Sequence, residues 1–217
     1  MKMKIKWTYS FKGRKTDFES DWMEKSEVLP IVNDLQKTGR VKTLSIMDEL
    51  HNEWTLKEFA KLDKQLDEEP SDVQLFFDGG YNLSLNEAGI GVVIYYKKND
   101  KNYRVRMNER LMQLESNNEA EYAALHRGVM MLEEIGVKQV PVTIFGDSNV
   151  VLKQLSGEWP CYEEVLNTWL DRIELKVKAM GIAPLYNPID RKENKEADKL
   201  ATQALEGTYV NSHSVIE

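Results

Sequence analysis

Three strand-like runs follow one another between residues 73 and 111 with no helix-length segment between them. VQLFFDGG, GIGVVIYYKK and KNYRVRMNERL are rich in the β-branched and aromatic residues that fit a pleated surface. Glycines and asparagines make the first connection and Asn99-Asp100 the second, so three strands come in succession. The pattern then changes period. ESNNEAEYAALHRGVMMLEEIG predicts a long helix, with Ser116 as N-cap, Glu119 at capping-box spacing and Gly136 as the stop. PVTIFGDS reads as a buried strand, NVVLKQLSG as a short helix and YEEVLNTWLDRIELKVKAMG as an amphipathic one. IAPLYNPI is a last strand and NKEADKLATQALEG a final helix. Such an order makes an α/β domain, a mixed five-stranded sheet flanked by helices.

The acidic stretch QLDEEPSD at residues 65–72 has the proline and serine content of an interdomain break. Before it, KIKWTYSF and KTDFESDW read as strands around a Lys12-Gly13-Arg14 turn, followed by a helix that ends at Gly39. A second hairpin, VKTLSIMD with NEWTL, and a helix with Leu56, Phe59, Leu62 and Leu66 on one face complete a ββαββα unit. The expected division is therefore a small α+β domain over 1–66, a linker over 67–72, the larger domain over 73–208 and a tail over 209–217. Nothing in the first unit looks chemical, although its first twenty residues carry an excess of lysine and arginine. Such a run protects an exposed edge strand or faces phosphate.

Composition narrows the function. A chain of 217 residues that is 41% hydrophobic and 30% charged is an ordinary globular one. Its opening, MKMKIKWTYSFKGRK, lacks the apolar core of a secretory signal, and no window nears the ~18 apolar residues of a span. A cytoplasmic protein with no membrane partner is expected. The single cysteine, Cys161, excludes an internal disulfide and a thiolate zinc site, and no histidine pattern accompanies it as a nucleophile. A formal charge of −7 does not advertise a nucleic-acid binder.

Four acids nonetheless fall in unusual places. Asp78 ends the first strand of the larger domain and Asp147 ends its fourth, and open α/β sheets put ligands beyond the carboxyl ends of their strands. Glu121 lies among Ala120, Ala123, Ala124 and Leu125 in the long helix, and Asp198 beside Ala197, Leu200 and Ala201 in the last. Each alone reads as a turn former, a cap or a helix surface residue. One shared cause explains all four: an all-carboxylate site for two hard divalent cations, Mg²⁺ or Mn²⁺, suited to in-line phosphoryl displacement.

FFDGG, AGIGVVIYY, SNNEAEYAAL, FGDSNVV and RKENKEADKLATQAL together resemble the signature blocks of type 1 ribonuclease H, in its short bacterial and archaeal subgroup. The resemblance runs from about residue 73 to 207 and leaves out the N-terminal unit. It implies a ribonuclease H-like fold and a metal-dependent endonuclease that hydrolyses the RNA strand of RNA–DNA hybrids. It implies catalytic and metal-binding roles for Asp78, Glu121, Asp147 and Asp198. It also implies substrate contacts from Gly79, Gly80, Asn117 and Asn118 to RNA 2′-hydroxyls, and from Ser116 and Arg191 to phosphate. The pattern departs from many relatives in two ways. No histidine precedes Asp198, where Arg191 stands instead, and residues 152–180 are mixed in charge where some members carry a basic protrusion. These departures favour an alternative, a catalytically weak or inactive nucleic-acid- or protein-binding module. No residue pattern fixes the oligomeric state.

Overall fold

A computed structural model describes residues 2–216 and divides the chain into two compact units, Met1–Glu68 and Glu69–Glu217. In the first, β1 (Lys2–Phe11) pairs with β2 (Arg14–Glu19) across a turn in which Lys12 and Gly13 both take positive φ. A two-residue β3 (Met23–Glu24) and helix α1 (Lys25–Lys37) follow, then β4 (Val41–Asp48), β5 (Glu53–Trp54) and α2 (Leu56–Asp67). The strand order is β2-β1-β4-β5, with β3 beside β1. Met3, Ile5, Val28, Val32, Ile46 and Phe59 form its core.

In the second unit β6 (Ser71–Asn82), β7 (Glu87–Lys98) and β8 (Lys101–Met112) are three antiparallel strands of 12 residues each. Then come α3 (Asn117–Ile135), β9 (Pro141–Gly146), α4 (Asn149–Leu155), α5 (Glu164–Met180), β10 (Ala183–Pro188) and α6 (Lys195–Leu205). β9 lies parallel to both β6 and β10. The mixed α/β sheet expected from the sequence is present, but it has six strands, ordered β10-β9-β6-β7-β8-β11.

The sixth strand, β11 (Asn211–Ile216), lies within residues 209–217, expected as a tail, and pairs antiparallel with β8. Its alternation is masked by serines and a histidine, and its anchor is remote in sequence. The buried Asn108 side chain accepts from the Val210 N–H at 2.7 Å and donates to the carbonyls of Leu200 and Thr208. The expected linker is also shorter: α2 runs to Asp67 and β6 begins at Ser71. Among the described residues no helix is long and apolar enough to cross a membrane.

Candidate active site

Parallel pairing of β6 with β9 sets the geometry. The register aligns Phe76 with Phe145, so Asp78 and Asp147 come two residues further on along neighbouring strands. β9 stops at Gly146, but β6 continues to Asn82 with Asp78 opposite Gly91 of β7, so Asp78 lies inside its strand instead of ending it as the sequence suggested. Phe76 and Phe145 stack with centroids 4.5 Å apart and reinforce that register just before the acids. Asp147 follows the last residue of β9 and immediately precedes Ser148, the N-cap position of α4.

Glu121 reaches the same point from α3. That helix starts at Ser116, whose hydroxyl accepts from the Glu119 N–H at 3.1 Å. The box is not closed in the expected way, because Glu119 turns back to accept from the Glu115 N–H at 2.8 Å and from Trp169 Nε1 at 3.1 Å. Glu119 thereby ties α3 to α5, and Glu121 faces the sheet. The helix lies so near β6 that a Cβ on Gly79 would overlap the backbone of Ala120 and Glu121. Gly79 is thus required by packing, independently of any substrate.

One carboxylate oxygen from each of Asp78, Glu121 and Asp147 lies within 4.8 Å of the others. Asp78 and Glu121 are 8% and 6% exposed. Burial, then the charges of Asp147 and Asp198, push Asp78 from the ordinary 3.8 up to about 7, against an opposing pull from Arg191. Burial, then Asp78 and Asp147, raise Glu121 well above the usual carboxylate range, opposed by a backbone hydrogen bond from Gly79. Glu121 Oε2 is buried with no hydrogen-bond partner. A set of oxygen donors that resist ionising together, one of them orphaned, fits a divalent metal site.

Asp198 stands apart from this trio. It lies in the first turn of α6, where its Oδ1 accepts from Arg191 Nη2 at 2.6 Å and Nε at 3.0 Å. It is near enough to raise Asp78, yet its carboxylate is engaged by the guanidinium. Asn117 lies four residues before Glu121 and Asn118 three, so both share its face of α3 one turn away. Gly80 is half-buried beside Leu205, with room for a Cβ.

Sequence reasoning missed Asn194. This residue is 1% exposed, and its Nδ2 donates to the Phe77 carbonyl at 2.9 Å and to Asp147 Oδ1 at 3.3 Å. One amide therefore ties the middle of β6 to the residue that follows β9, from the start of α6. Its Oδ1 is buried and unpartnered. The only signal was an amide inside the charged run RKENKEAD, a pattern that reads as an exposed cap.

Residues 76–204 match the reverse transcriptase-like family. The uncharacterized protein YpeP of Bacillus subtilis (strain 168) is 40% identical over 205 residues, 94% of this chain and 90% of that protein. The crystal structure of RNase H1 from the halophilic archaeon Halobacterium salinarum NRC-1 matches with a TM-score of 0.55 and 26% identity, covering 62% of this chain and 98% of that one. LC11-RNase H1 in complex with RNA/DNA hybrid matches in fold, with a TM-score of 0.53 and 24% identity over 63% of this chain and 98% of the other.

Proposed function

The chain belongs to the reverse transcriptase-like family and has the fold of type 1 ribonuclease H, and from that premise we propose that it is an endonuclease cutting the RNA strand of RNA–DNA hybrids. The observation that carries this reading is the convergence of Asp78, Glu121 and Asp147, from within β6, from a helix and from the end of β9, on one point. A binding module that had lost its chemistry would gain nothing from keeping three mutually repelling acids at a buried edge.

Asp78, Glu121 and Asp147 would hold the cations, with Asp198 as the fourth carboxylate once it is released from Arg191. Two Mg²⁺ or Mn²⁺ ions supply, when bound, Lewis acidity at the phosphodiester and an acidified water. The chain's own residues do the rest. Glu121 Oε2, buried without a protein partner, is left as a free acceptor on one of the three clustered acids. Asn194 fixes the rotamer of Asp147 and ties it to the carbonyl before Asp78. Asn117 and Asn118, on the face of α3 that carries Glu121, offer donors and acceptors to RNA 2′-hydroxyls, and Gly80, without a side chain, leaves room for a substrate backbone beside β6. Ser116 and Arg191 contact phosphate, Arg191 from an exposed side chain. Hydrolysis adds water across the P–O3′ bond, leaving a 3′-hydroxyl and a 5′-phosphate.

The test is cleavage of end-labelled hybrid, single-stranded RNA and duplex DNA with Mg²⁺ or Mn²⁺, alongside Asp78→Asn and Asp147→Asn. Hybrid cut in the RNA strand by the wild type and by neither variant is the expected result. Cutting that survives both substitutions, or hybrid bound tightly without turnover at millimolar Mn²⁺, would overturn the reading.

A further inference from the structure

The N-terminal unit contributes nothing to the trio of acids, and its sheet carries a feature that its own fold leaves unused. On the face of β1 covered by helices, Met3 and Ile5 are fully buried. Toward the β1–β2 hairpin the same face continues as Trp7, Tyr9 and Phe11, with Phe18 opposite Trp7 on β2. Cover thins there: Phe11 and Phe18 are each 47% exposed. Trp7 and Phe18 stack at 5.5 Å between centroids, and Tyr9 meets Phe18 edge-on at 6.2 Å. The result is a row of π-faces on a rigid sheet rather than on a loop.

Around this row sit Lys12, Arg14 and Arg40. Ser10 donates to the Arg40 carbonyl at 2.7 Å, which brings the start of β4 to the hairpin. The Arg40 guanidinium lies 4.9 Å from the Phe11 centroid and donates to Tyr9 Oη at 2.8 Å, and Lys12 lies 5.4 Å from the same Phe11 ring. Among the described residues no carboxylate lies within ion-pair distance of any of these three cations. Farther along the same sheet Lys4 and Lys6 are paired with Glu19 and Glu53. Neutralised cations at one end and bare ones beside exposed rings at the other are a segregation that folding does not need.

We propose that this end of the N-terminal sheet is a stacking platform for single-stranded nucleic acid. Bases would lie on Phe18 and Phe11 while Lys12, Arg14 and Arg40 meet the phosphates. The chemistry selects this ligand. A polyanion alone would leave the rings unused, an apolar partner would strand the cations, and a duplex keeps its base faces inside the stack. The inference concerns residues remote in sequence from the acids and does not depend on the hydrolase reading.

The experiment uses the full chain in EDTA, which prevents turnover, with labelled single strands of RNA and of DNA about 12 nucleotides long, followed by anisotropy across a salt series. Both strands should bind, with log K falling as log salt rises. Phe18→Leu, which keeps apolar bulk but removes the π-face, should weaken binding by about 5- to 30-fold at every salt concentration, while Phe18→Trp should retain it. Arg14→Gln and Arg40→Gln should each flatten the salt slope by about 0.7. Circular dichroism establishes that the variants fold, and Arg14→Gln at the exposed hairpin keeps the test alive if a ring substitution does not. The proposal is overturned if wild type binds neither strand, if Phe18→Leu binds as tightly as wild type, or if a polyglutamate peptide competes as well as the oligonucleotide.

Discussion

Replacing Asp78 by asparagine should make the metal-free protein more stable while removing its response to metal. Moving a carboxyl from 3.8 to about 7 corresponds to roughly 4 kcal/mol of disfavoured ionisation above neutrality. Asparagine keeps the shape, cannot ionise, and can still donate to Asp147. An amide that is not fully partnered returns part of the gain, so the net expectation is about 1–3 kcal/mol. For a domain of about 150 residues this raises Tm by roughly 3–8 °C. The sign follows from proton linkage. A raised folded-state value means that the folded form binds more protons between about pH 4 and 7, so wild-type stability falls as pH rises through that window. The advantage of the variant should therefore shrink steadily as pH drops from 7 toward 4. Differential scanning fluorimetry of both proteins in EDTA across this range, then with millimolar Mg²⁺ or Mn²⁺, is the assay. Metal should raise the wild-type Tm and leave the variant nearly unmoved. An Asp78→Asn protein that melts below wild type in EDTA near neutral pH, or gains as much from metal, would refute the account of the site.

Asn194→Ala should lower hybrid cleavage by about 10–100-fold and raise the metal concentration needed for half-maximal rate, since Asp147 loses the donor that orients it; a metal titration of rate reads both. Gly79→Ala should cost at least about 1–3 kcal/mol in thermal unfolding and depress activity with it, because its methyl meets the Ala120 backbone. A chain ending at Glu206 should lose about 1–3 kcal/mol or more by urea unfolding, because it loses β11 and leaves the buried Asn108 without its partners from Thr208 and Val210.

What the sequence disclosed was what is periodic or terminal. Asp78 and Asp147 were visible because a charge interrupts an apolar run in each, but only Asp147 follows a strand end; β6 carries on past Asp78 to Asn82 because β7 keeps pairing with it. Glu121 was visible because small residues surround it on a helix that has to lie close to the sheet. The features that escaped depend on partners far along the chain. β11 is polar enough to pass for a tail and becomes a strand only because β8 offers an edge and Asn108 holds Val210. Asn194 sits in a run of charges that any helical reading would expose, yet three-dimensional closure buries it between β6 and the end of β9. The engagement of Asp198 by Arg191 is equally hidden, since seven residues across a turn carry no spacing rule.

The absent side chain at Gly79 has a mechanical consequence. Because backbone meets backbone there, the approach of β6 to α3 is set by atomic radii instead of by side chains that could relax. Repacking the interior elsewhere, by heat or by substitution, cannot bring the two any closer at this seam. It acts as a fixed stop, and the width of the gap it leaves is a property of the main chain.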